Sequence, residues 1–120
     1  MAERNVSLRL SDMLEAIEHV RGVLEGAALE TFEGDWRMRW LVERGIEIIS
    51  EASRHLPQDL KDRNPHIPWR KVAGVGNVVR HAYERIAPDI FWKLVNDDLP
   101  ALEAVCRDEL AAALARERGR

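Results

Sequence analysis

Along most of this chain apolar residues recur at intervals of three and four, the spacing of one face of an α-helix. Met13, Ile17, Val20 and Leu24 form the first such face, with Ser7 or Ser11 placed to cap the helix and Gly26 to end it. A break at Thr31 to Gly34 precedes a long helix from about Asp35 to about Arg54. Trp36, Trp40, Ile46 and Ile49 are expected on its buried side, widened by Leu41, Val42 and Ile48. A stripe that broad packs against more than one neighbour, a second chain included. Pro57 and the run Asp62-Arg63-Asn64-Pro65 read as a polar connection. Pro68 stands where a helix starts, because its missing N–H costs nothing there, and Trp69, Val72, Val75 and Val79 carry that helix towards Tyr83. Gly74 and Gly76 interrupt it at about 1 kcal/mol each relative to alanine, which calls for a close helix contact or a bend. Pro88-Asp89 opens a short helix through Phe91, Trp92 and Val95. Asp97, Asp98 and Pro100 open the last one, whose stripe is Leu102, Val105, Cys106, Leu110 and Ala113, with a frayed basic tail from Arg116. No segment alternates with period two. The pattern therefore predicts an all-α, up-and-down bundle of about five helices, formed as a single domain over residues 1–120.

Composition narrows the class. With 46% apolar and 32% charged residues the chain is globular rather than disordered. A single cysteine, Cys106, excludes an internal disulfide and suits a reducing cytoplasm. There is no run of 18 apolar residues to span a membrane, and Met1 to Leu10 lacks the apolar region of a signal peptide. A net charge of −3 argues against wholesale coating of nucleic acid. The charge is uneven, however. Arg54 to Lys93 holds eight Lys/Arg against four Asp/Glu, a net +4, while the remainder is at −7. A basic middle on an acidic protein focuses a polyanion at one place; segregation on solvated faces gives the same count.

The histidines differ in their surroundings. His19 and His55 lie on helical segments without a partner at suggestive spacing, and His66 sits in the turn from Pro65 to Pro68. No His, Cys, Asp and Glu set has metal-ligand spacing, so no metal is expected. The two glycines are not a phosphate loop, lacking both the Gly-Lys-Ser/Thr end and a preceding strand. His81 has richer company in Asn77, Arg80 and Tyr83. Asn77 lies four residues earlier on the same helix face. An imidazole moves protons at neutral pH, and Arg80 or Arg85 would hold a phosphate. From the residues alone, a structural histidine beside an aromatic remains the commoner case. Trp36, Trp40, Trp69 and Trp92 read as core or interface anchors, with base stacking as the alternative. Glu47 and Glu51 share a face and either orient an arginine or meet solvent.

The stretch Ile67-Pro-Trp-Arg-Lys-Val-Ala-Gly-Val-Gly-Asn-Val-Val-Arg-His-Ala-Tyr83 closely resembles the signature of HepT-like proteins of the HEPN superfamily. Pro88-Asp-Ile-Phe-Trp-Lys-Leu-Val-Asn-Asp-Asp-Leu-Pro100 and Val42-Glu-Arg-Gly-Ile-Glu-Ile-Ile-Ser-Glu-Ala52 are similar to the same family. The resemblance covers nearly the whole chain, in order. It implies a helical bundle that dimerises with its motifs facing across the two-fold. It further implies a metal-independent, cofactor-free RNA endonuclease, the toxin of a type VII HEPN/nucleotidyltransferase toxin–antitoxin pair. Its partner would be an MntA-type minimal nucleotidyltransferase that attaches AMP to the motif tyrosine. The family motif, Arg, four to six residues, His, one residue, Tyr, places its histidine at His81 and its AMP-accepting tyrosine at Tyr83.

The chain departs from that motif at its first member. Gly76, Val75 and Gly74 stand where arginine is expected, while Asn77 matches the asparagine that often follows it. Arg80 is four residues beyond Gly76, so its guanidinium would reach back towards the vacated place, or else is a surface charge on a weakened enzyme. On the first reading, His81 from two subunits takes the 2′-OH proton and protonates the leaving 5′-oxygen. Arg80 and Arg85 stabilise the phosphorane, and Tyr83 hydrogen-bonds the phosphate. An AMP on Tyr83 would block RNA by charge and bulk. On the second reading the chain is a HEPN module that binds a partner nucleotidyltransferase without cutting RNA.

Overall fold

The structure is a computed structural model that describes residues 2–82 and 92–119. Its described residues form helices joined by short turns: α1 (Ala2–Leu24), α2 (Leu29–Gly34), α3 (Trp36–Arg54), α4 (Gln58–Arg63), α5 (Trp69–Ala82) and α6 (Leu99–Arg118), the last entered through a π-helical turn at Leu94–Asp98. No strand occurs among them, so the fold is the all-α bundle that the periodicity predicts. Of the part from Pro88 to Val95, Pro88 to Phe91 lie outside the described residues.

The core follows the 3.6-residue pattern. Leu10, Met13, Ile17 and Val20 of α1 meet Val42, Ile46 and Ile49 of α3, and Leu102, Val105 and Cys106 of α6, all buried. Gly45 brings α1 and α3 together, since a Cβ there would lie 2.2 Å from the Val20 Cγ2. α1 and α6 run antiparallel and are tied along their length. Ser7 at one end donates to Glu117 at 2.8 Å. At the other end Glu103 receives both Arg21 and Arg107, and Arg107 also reaches Glu18 at 3.2 Å.

Several local expectations are corrected. Ser7 and Ser11 do not cap α1, which begins before them; Ser7 is buried and spends its hydroxyl on Glu117 instead. The supposed break at Thr31 to Gly34 is the short helix α2, held down by a fully buried Phe32 whose ring lies tilted against Trp92, 6.1 Å between centroids. The polar connection after Pro57 contains α4, anchored by buried Leu60. One hydrophobic side chain suffices to fix each of these single turns, and one residue has no periodicity to detect. The tail is helical through Arg118 rather than frayed from Arg116. Gly26 does end the first helix region, with a left-handed φ of 73°. Asp35 caps α3 through bonds to the amides of Arg37 at 2.9 Å and Met38 at 3.3 Å.

The main correction concerns α3. Val42, Ile46 and Ile49 are buried as expected, but Trp36, Trp40 and Leu41 are 51%, 62% and 58% exposed. At about 100° per residue, Trp36 and Trp40 fall about 120° and 160° around α3 from Val42, so they lie on the face turned away from the stripe that Val42, Ile46 and Ile49 bury.

Candidate functional site

The helix α5 reads WRKVAGVGNVVRHA, with basic residues and no acid. Its buried side holds Gly76 and Val79; Arg70, Lys71 and Asn77 are exposed. It lies antiparallel to α3, and the join is made by polar groups rather than by apolar packing alone. The Ser50 hydroxyl donates to the Ala73 carbonyl at 2.8 Å and accepts from the Gly76 amide at 3.1 Å. Arg54 adds its Nε and Nη2 to the same carbonyl at 3.0 and 2.9 Å. A side chain inserted into a helix's own hydrogen-bond ladder is a recognised cause of local bending.

Gly76 is what allows this approach. A Cβ there would lie 2.6 Å from the Ser50 Oγ, 2.8 Å from its Cβ and 3.8 Å from the Cα of Glu47. The close helix contact expected of the glycine pair is therefore real at Gly76, and the space where a motif arginine would leave the backbone is filled by α3. Gly74 has no such neighbour.

One turn beyond Gly76, the antiparallel register sets position 80 opposite the part of α3 that carries Glu43 and Glu47. Burial pushes the Glu43 carboxyl above its ordinary value; Arg39 pulls it down and Glu47 pushes it up. Glu47 pairs with Arg44 at 3.4 Å. Glu51, which shared its face in the sequence, turns instead to Arg54 and His55. His55 thus has an acid partner at 3.2 Å, contrary to the expectation that it had none.

Of the residues singled out in the sequence, α5 carries Asn77, Arg80 and His81, with Asn77 and His81 on one face by helix periodicity. Tyr83 and Arg85 lie outside the described residues. Among the described residues no group of His, Cys, Asp and Glu could hold a metal ion. Cys106 is buried in the core, and desolvation pushes its thiol up to about 12.

Two features escaped the sequence reading. An apolar cavity of about 260 Å³ lies on the other side of α5, walled by Ile46, Val72, Val75 and Leu102, with Lys71 and Asp98 across its mouth. It could not be found from sequence because its walls come from three separate helices. The second is the aromatic pair on α3. The rings of Trp36 and Trp40 stack edge-on at 4.9 Å, with the Arg37 guanidinium 5.3 Å above Trp36, all on an exposed face.

Fold and site together define an all-helical domain that presents an acid-free, histidine-bearing helix braced by polar bonds to its neighbour. The profile of the HepT-like ribonuclease family matches residues 13–109, and the chain belongs to that family. It is 37% identical over 94 residues to the "Probable ribonuclease HepT" of Thermococcus cleftensis, a match spanning 78% of this chain and 86% of that protein. It is 32% identical over 103 residues to the "Putative RNase MJ1380" of Methanocaldococcus jannaschii, spanning 86% and 94%. No solved structure matches the chain. No helix among the described residues is long and apolar enough to cross a membrane.

Proposed function

We propose that residues 1–120 act as one HepT-like domain that cleaves RNA without a metal or cofactor, as the toxin of a type VII toxin–antitoxin pair. The observation that carries this reading is α5 itself: a basic helix that bears His81 in a family named for ribonuclease activity. The 2′-OH of RNA attacks the adjacent phosphorus as a base takes its proton, and the 5′-oxygen leaves as an acid protonates it. His81 from two copies supplies base and acid, Arg80 and Arg85 neutralise the phosphorane, and Asn77 and Tyr83 hydrogen-bond the phosphate. An MntA-type nucleotidyltransferase partner attaches AMP to Tyr83 and so blocks the cleft. The protein works in the cytoplasm, with its RNA.

The exposed Trp36, Trp40 and Leu41 support the homodimer on which this chemistry depends. An apolar face of this kind on α3 has the character of a protein contact rather than of free surface. It lies towards the motif end of α5, because α3 and α5 are antiparallel.

One observation favours the second reading, a module that binds its partner nucleotidyltransferase but does not cut. Ser50 fills the space beside Gly76, so the motif arginine has no direct substitute there. Incubating purified protein with RNA in EDTA separates the two: cleavage by wild type that disappears in His81→Ala supports the nuclease. Intact wild type inert on several RNAs leaves the binding module.

A further inference from the structure

Gly74 has no explanation among the described residues. Gly45 and Gly76 are bare because a neighbouring helix touches them, but a Cβ on Gly74 would meet nothing within 4 Å. A glycine in the middle of a helix nonetheless weakens it. At steps of four, three and four residues, Gly74 shares its face with Arg70, Asn77 and His81. Arg70 is exposed and makes no hydrogen bond or ion pair among the described residues, whereas Arg54, Arg63 and Lys71 nearby are all engaged. The nearest acid on α3, Glu51, is occupied by Arg54 and His55.

We infer that the Arg70–Gly74–Asn77 face is a binding subsite for the RNA strand beside the scissile phosphate. This rests on the ribonuclease reading and extends it to a residue outside the motif. The sugar–phosphate backbone lies against the bare turn at Gly74, and Arg70 pairs with a phosphate about 16 Å along the helix from His81. Charge decides the occupant. A polyanion complements a basic face without acids, whereas a second copy docked there across a two-fold axis would set Arg70 and its equivalent near one another with no carboxylate to offset them.

The test uses His81→Ala protein, which leaves the RNA intact, and a fluorescein-labelled single-stranded RNA followed by fluorescence anisotropy at several salt concentrations. Adding Arg70→Ala is expected to weaken binding about tenfold and to flatten the salt dependence by about 0.7 in log–log slope, one phosphate contact on a single strand. Adding Gly74→Leu is expected to weaken binding as well, with no fall in melting temperature, because a Cβ there meets nothing within 4 Å among the described residues. Unchanged affinity and slope in both variants, on a parent that binds RNA, overturns the subsite and leaves the ribonuclease reading standing. Failure of the parent to bind RNA overturns both. Loss of dimer mass in Gly74→Leu with RNA affinity intact gives the face to a second copy and overturns the proposal.

Discussion

Ser50 occupies the place that a side chain at Gly76 would take. Its hydroxyl bonds to the Gly76 amide at 3.1 Å, and its Oγ lies 2.6 Å from where that residue's Cβ would stand. This one relationship sets the spacing between α3 and α5, and with it the position of the helix that carries the motif.

The two glycines of α5 should therefore respond oppositely to the same substitution. Gly74→Ala gains helix propensity without a clash and should stabilise by up to about 1 kcal/mol. Gly76→Ala must push Ser50 aside and should destabilise by about 1–3 kcal/mol despite the same gain. Urea unfolding of the two variants beside wild type checks this. Stabilisation by both would mean that α3 yields freely at Ser50.

The exposed indoles give a second expectation. Changing Trp36 and Trp40 to serine removes apolar surface that makes no part of the core, so helical circular dichroism should be unchanged. Sedimentation equilibrium should then report a dimer for wild type and a monomer for the double variant, and RNA cleavage should fall with it. A double variant that stays dimeric puts the two-fold on another face.

A pH dependence follows from Glu109. The hydrogen bond from Arg63 holds its carboxyl below the usual value against the opposing effect of burial, with Asn64 adding a bond at 2.9 Å. The Arg63 Nη2 lies 2.8 Å from its Oε1. A carboxylate depressed in the folded state contributes stability above its unfolded pKa and loses it as pH falls through the folded one. Glu109→Gln should therefore cost about 1 kcal/mol at pH 7, since Arg63 is half exposed, and the difference from wild type should vanish in acid below the carboxylate range. Thermal melts across pH measure it. A difference that persists undiminished in acid would show that packing, not the ion pair, is what the mutation removes.

Cys106 should be silent in the native protein. Buried and with its thiol pushed up to about 12, it presents neither access nor thiolate at pH 8. A thiol-reactive chromophore is expected to label it only after denaturant is added. Rapid native labelling would mean that α6 opens readily from the core.

Much of this was legible in the chain. The stripes on α1 and α6 and the buried Val42, Ile46 and Ile49 follow from spacing, because each reports a repeated side-chain environment, while a contact or bend at Gly76 follows from the cost of glycine inside a helix. The motif around His81 was legible by resemblance. Trp36 and Trp40 group with Ile46 by apolar character alone; at about 100° per residue they fall on the face of α3 turned away from fully buried Val42. Phe32 and Leu60 were missed because each fixes a six-residue helix with one buried side chain. Ser50 carried no signal, because its role lies in a bond to a backbone 26 residues away.

The central claim is that RNA supplies its own nucleophile to a metal-free site at the end of α5. It is tested most directly by an RNA with a single 2′-deoxy nucleotide at a mapped cleavage position, incubated with wild-type protein in EDTA. The expected result is loss of cutting at that position alone, with products elsewhere ending in 2′,3′-cyclic phosphate. Cutting at the deoxy position at the same rate, or activity that EDTA abolishes, would contradict it.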